Sequence, residues 1–129
     1  MKSTVTVIAV GLLLSLCSPV LADDLIESYV ARLSANDHFN SNGARLTSPA
    51  MIIRQDRANY HKFGRRDVED QGDSFFQKAE NRETLQKLLQ RGYSSPSVYQ
   101  AIVNGQPLIR VSVYQTRGGA YVNVEILEE

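Results

Sequence analysis

What this sequence lacks narrows it first. It has a single cysteine, Cys17, placed inside an apolar N-terminal stretch. Beyond that point there is no thiol to form a disulfide, hold zinc or attack a substrate. No uninterrupted apolar run reaches the roughly 20 residues needed to cross a bilayer. Glycine-rich phosphate cradles of the G-x-G-x-x-G or Walker type are missing, as are a G-x-S-x-G nucleophile turn and an H-E-x-x-H zinc helix. Charge of one sign is not in excess either: 14 basic residues face 14 acidic ones. That balance excludes polyanion binding driven by bulk charge, and nucleic acid is not expected as a partner.

What is there begins with MKSTVTVIAVGLLLSLCSPVLA, a cation at Lys2, an apolar run from Val5 to Leu16, a break at Pro19 and small or short residues at Val20 and Ala22. This is the three-part layout of a secretory signal peptide, with cleavage expected after Ala22. A transmembrane anchor would need a longer run without Ser15, Ser18 and Pro19, and lipid attachment at Cys17 would want a small residue where Leu16 stands. The expected organisation is therefore a signal peptide at 1–22 and one small domain at 23–129. The expected location is the periplasm or the exterior, with no stable membrane span after cleavage. One domain of this size can build one core but not two. With Cys17 removed, its stability must come from packing. The mature chain carries ten arginines against three lysines, and arginine is the cation suited to bidentate and stacked contacts.

From Asp24 to about Ala35, the spacing of Leu25, Ile26, Tyr29, Val30 and Leu33 predicts an amphipathic helix opened by Asp23 and Asp24. Residues 36–46 are dense in Asn, Asp, Ser and Gly and predict a loop pinned by Phe39 and Leu46. Ser48 and Pro49 then open a second helix that Gly64 stops. On it, Ile52, Ile53, Asp56, Asn59, Tyr60 and Phe63 share a core side, while Arg54, Arg57 and His61 line a basic stripe that Arg65 and Arg66 extend. The acids from Asp67 to Asp73 predict a solvated loop paired with Arg65 and Arg66. A third helix is predicted from Asn81 to Gly92, and a fourth from Ser95 and Pro96 to Asn104 and Gly105.

The C-terminal segment alternates. With a turn at Thr116–Gly119, pairing Gln115 with Ala120 sets Val113, Val111 and Ile109 opposite Val122, Val124 and Ile126. The other face then pairs Tyr114 with Tyr121, Ser112 with Asn123, and Arg110 with Glu125, an aromatic pair and an ion pair that support the same register. The fold expected is α+β, with three or four short helices packed on the aliphatic face of a C-terminal antiparallel β-hairpin. Because two strands alone are marginal in water, the hairpin must lie on the helices or gain strands from a second copy.

Asp56, His61 and His38 are the residues from which a small secreted hydrolase would draw its site. Asp56 and His61 point about 140° apart on one helix and cannot converge without partners; a structural role for Asp56, bonded to a tyrosine, an arginine or a helix N-terminus, is the plainer reading. The loop from Asp67 mimics the start of an EF-hand, but Gln71 and Lys78 fall where two oxygen ligands belong. No metal or cofactor is implied. The function expected is that of a noncatalytic binding or interaction protein. Its contact surface would be Arg54, Arg57, His61, Arg65 and Arg66, with Tyr114 and Tyr121 as the alternative face. The partner would be an acidic protein or a component of the cell envelope, and the hairpin edge offers a route to a homo-oligomer.

Overall fold

The computed structural model describes residues 23–92 and 95–129. Residues 1–22, with Cys17 and the expected signal peptide, lie outside the described residues. The order of elements is β1 (Asp24–Arg32), a 3-10 turn (Ala35–His38), α1 (Pro49–His61), a second 3-10 turn (Phe75–Gln77), α2 (Ala79–Arg91), α3 (Pro96–Asn104), β2 (Leu108–Thr116) and β3 (Gly119–Glu128). Three helices cover one face of a three-stranded antiparallel sheet of order β1-β2-β3, an α+β architecture with the hairpin at the C-terminus.

The hairpin register is the one its side chains demand. Ile109 pairs with Ile126, Val111 with Val124 and Val113 with Val122, while Tyr114 meets Tyr121 and Arg110 meets Glu125. A one-residue slip would turn every aliphatic side chain to the wrong face. Leu108 pairs with Glu128, so Leu127 is an extra residue in β3 and the ladder bulges there.

The segment expected to be the first helix is instead β1. It pairs antiparallel with β2, Tyr29 beside Val111 and Ala31 beside Ile109. The same residues carry both periodicities: Tyr29, Ala31 and Leu33 alternate inward and are fully buried, with Ser28, Val30 and Arg32 on the other face. A lone helix of this length is marginal in water, whereas a third strand completes an otherwise marginal hairpin. Tertiary pairing therefore wins over local spacing.

α1 and α3 start where their Ser-Pro punctuation places them, but α1 ends at His61 with Lys62, not Gly64, in the C-cap position. Pro49 opens α1 after Ser48, and Ser95 caps α3 by accepting from the Val98 N–H. The helix expected from Asn81 starts two residues earlier, at Ala79, with Lys78 in the cap position. Its Asn81 side chain instead donates to the Phe75 carbonyl at 2.7 Å. The core between the layers is built from Tyr29, Leu33, Ile109 and Val111 of the strands and their exit, with Ile52 and Ile53 of α1, Phe76, Leu85 of α2 and Ile102 of α3. Each such aliphatic side chain contributes about 1.5–3 kcal/mol by leaving water.

Candidate functional site

The loop between α1 and α2 is the element that organises the polar chemistry. It is not a solvated acidic loop. Gln71 lies beside β1: its N–H donates to the Val30 carbonyl at 2.8 Å and its side-chain oxygen accepts from the Val30 N–H at 3.0 Å. Asp70 accepts from the Arg32 N–H at 2.9 Å. The loop thus closes the outer edge of β1. Its acids are not taken by Arg65 and Arg66 as expected. Glu69 pairs with Arg32, and Asp73 pairs with Arg57 and His61.

Arg57 is the centre of the network this closure creates. Its Nε donates to Asp56 Oδ2 at 2.8 Å, and its Nη1 donates to Asp73 Oδ1 at 2.9 Å and to the Gln71 carbonyl at 3.0 Å. The guanidinium lies 3.9 Å from the ring centroid of Tyr29 and 4.6 Å from that of Tyr60. A planar, weakly hydrated cation suits such a site, because it satisfies carboxylates at its edge while its faces rest on rings. Arg57 is 0% exposed and so is not part of a surface stripe. The one-face helical reading failed here because the loop folds back over that side of α1. His61 donates from Nε2 to Asp73 Oδ1 at 2.8 Å, and its side chain is largely covered. Arg66 rests on the Tyr60 ring at 4.0 Å and donates to the Tyr60 carbonyl. Gly72 packs closely here: a Cβ there would stand 2.8 Å from Tyr60 Oη, so the Tyr60 side chain would have to shift.

Asp56 is the structural aspartate that the plainer reading expected, with an arginine as its partner. Burial pushes its carboxyl well above the usual range, opposed by the Arg57 charge. Burial likewise raises Asp37, to about 6, against hydrogen bonds from the Asn59 side chain and the Ser34 N–H. Burial works in the same direction on Asp73, but the Phe76 N–H, His61 and Arg57 outweigh it, and that carboxyl falls below its usual value. Among the described residues, Tyr29 Oη, Asp56 Oδ1 and Arg57 Nη2 are buried and find no hydrogen-bond partner. His38 stands apart from this cluster. It is buried with Nδ1 and Nε2 each 2.8 Å from a main-chain oxygen, that of Ser34 and that of Ile102. Asp56, His61 and His38 therefore do not converge. Both His38 nitrogens face main-chain carbonyl oxygens, and Asp56 and His61 are joined through Arg57 and Asp73. Among the described residues no group of three or more His, Cys, Asp or Glu is placed to hold a metal ion.

The open surface lies on the other side of α1. Met51, Gln55, Ala58 and Lys62, spaced i, i+4, i+7 and i+11, line a cleft of about 300 Å³ between α1, the 36–46 loop and α2. A second cleft of about 330 Å³ adjoins it, sharing Asn40, Ser41, Gln55 and Phe63 and reaching Phe39 and Arg65. Phe39, Met51 and Phe63 are 40–41% exposed along this groove. Arg45 lies 5.5 Å from the Phe39 ring and Lys62 lies 5.2 Å from the Phe63 ring. Arg54, half-buried, reaches across to Gln86 at 2.6 Å. No carboxylate is among the residues lining either cleft. Of the cations expected to form a contact surface, the groove takes Arg54 and Arg65 and leaves out Arg57, His61 and Arg66. Phe63, expected in the core, is beyond the last turn of α1 and faces water. The stripe Met51, Gln55, Ala58, Lys62 was readable at helical spacing, but its mixed polarity gave it no weight.

On the outer sheet face Tyr114 and Tyr121 stack at 5.1 Å with an 18° interplanar angle, and Tyr121 donates to Asp23 at 2.8 Å. On that face Ser112 and Asn123 separate them from the Arg110–Glu125 pair. In comparisons with known proteins, no family model matches this chain, no curated protein is similar to it, and no solved structure matches its fold.

Proposed function

We propose that the protein is an exported, noncatalytic binding protein that takes an acidic partner in the groove along α1. The leader at 1–22 supports export to the periplasm or the exterior. The observation that carries the binding reading is the groove itself: three exposed large apolar side chains, Phe39, Met51 and Phe63, on a concave surface bordered by Arg45, Lys62 and Arg65 with no carboxylate in its lining. Apolar anchors in a recess with like charges at the rim are what an interface uses to hold an oppositely charged segment and to speed its approach. The concavity favours an acidic protein segment with an apolar anchor over a flat anionic surface of the cell envelope. A hydrolytic role for Asp56, His61 and His38 has no comparable support, since Asp56 Oδ2 and His61 Nε2 are bonded to Arg57 and Asp73, His38 faces main-chain carbonyls, and the three side chains do not converge.

The test uses a panel of acidic peptides, each with one Leu or Phe, titrated into the protein while the Met51 methyl resonance is followed. Saturable shifts at Met51 that weaken as salt rises, and that vanish in Lys62→Glu with Arg65→Glu at an unchanged thermal midpoint, are expected. Absence of shifts with every peptide, or equal shifts in the double variant, would overturn the reading.

A further inference from the structure

The two edges of the sheet are treated differently, and the difference concerns association. The β1 edge is closed by the backbone and side chain of Gln71 and by Asp70. Among the described residues β3 has a neighbour only on its β2 side. Open edges in soluble proteins are ordinarily blunted by lysine, proline, a bulge or short length. β3 has ten residues, and from Gly119 to Ile126 it contains no lysine, proline or bulge. Its inward side chains Val122, Val124 and Ile126 remain partly exposed, although their partners Val113, Val111 and Ile109 are fully buried. A cleft of about 260 Å³ runs beside this edge, between Val122 and Val124 of β3 and Leu89 and Val98 of the helices.

We infer that the β3 edge pairs antiparallel with β3 of a second copy of this chain, joining two sheets into one of six strands. The charge pattern selects a copy over another strand. β3 is preceded by a cation, Arg117, ends in Glu128, which lies 3.4 Å from Arg32 within the chain, and is followed by a second carboxylate, Glu129. A twofold axis sets the basic end of each strand beside the acidic end of the other, so the strand is complementary to itself when reversed. Glu125 does not oppose this, because Arg110 already neutralises it within the chain. Centring the pair on Asn123 sets Val122 opposite Val124 of the second copy, so that aliphatic side chains meet on the inner face and Asn123 meets its own symmetry mate on the outer one.

Sedimentation equilibrium of the full-length protein, with Cys17→Ser as background, tests this. A dimer is expected. Asn123→Cys should yield a disulfide-linked dimer in air, and Glu80→Cys, exposed on α2, should not. Arg117→Glu should raise the dimer dissociation constant by about tenfold, and adding Glu129→Arg to it should restore the wild-type value. A monomer at every concentration overturns the inference. So does a dimer that cross-links equally at both positions, or one indifferent to both charge changes. None of these outcomes depends on the α1 groove being occupied.

Discussion

Arg57 sits 3.9 Å above the ring of Tyr29, so that a strand and a helix are joined by a cation lying on an aromatic face. Tyr29 belongs to β1 and Arg57 to α1, and Asp73 from the following loop completes the site at 2.9 Å. Three chain segments thus meet at one guanidinium.

Removing that guanidinium should unfold the domain or come close to it. Arg57→Met leaves Asp56 and Asp73 buried without their shared cation, a loss of about 3–5 kcal/mol. Arg57→Lys keeps the charge but cannot bond Nε and Nη1 geometries at once, and it should recover less than half of the loss. Urea denaturation of both variants checks this. An exposed arginine would give losses under about 0.5 kcal/mol.

The contribution of Asp37 to stability should fall as pH rises from 3.8 to about 6. Asp37 has a folded-state value of about 6 against 3.8 when unfolded, so between those values the folded state binds more protons than the unfolded one. The slope of that contribution with pH is then negative in that window and flat above it. The full drop attributable to Asp37 is roughly 3 kcal/mol. Asp56, also raised by burial, acts in the same direction. Asp37→Asn keeps an acceptor for the Asn59 side chain and should flatten the decline between pH 4 and pH 7 without abolishing it. Urea midpoints at several pH values read the effect; equal slopes in wild type and variant would place the titrating group elsewhere.

The sheet should be sensitive on both faces at its centre. Val111→Asp buries a charge with no partner and should unfold the domain. Val124→Asp, on the partly exposed edge strand, should cost less. From the hairpin alone, Ser112 reads as a tolerant outer position. It is instead buried, flanked by strands on both sides, and its hydroxyl lies 3.0 Å from that of Ser28. Ser112→Asp should therefore destabilise by about 1–3 kcal/mol, measured by thermal melts of the three variants side by side.

The sequence by itself determined the hairpin, because two independent faces had to agree in one register and only one register allows it. It also determined α1 and α3, whose Ser-Pro starts are local chemistry: a fixed proline φ and a missing N–H favour a first helical turn wherever the chain lies. What only the tertiary structure decided lies where local signals were degenerate. Residues 24–32 satisfy helical and strand periodicity alike, and the vacant side of β2 chose between them. Arg54, Arg57 and His61 have the same spacing and similar chemistry, yet one reaches over α2 and two are drawn under the 67–73 loop. That loop closes because Gln71 and Asp70 find the free N–H and C=O groups of β1, partners more than 35 residues away in sequence. The groove on α1 is visible only after this closure, since it consists of the cations and apolar side chains that the closure leaves uncovered.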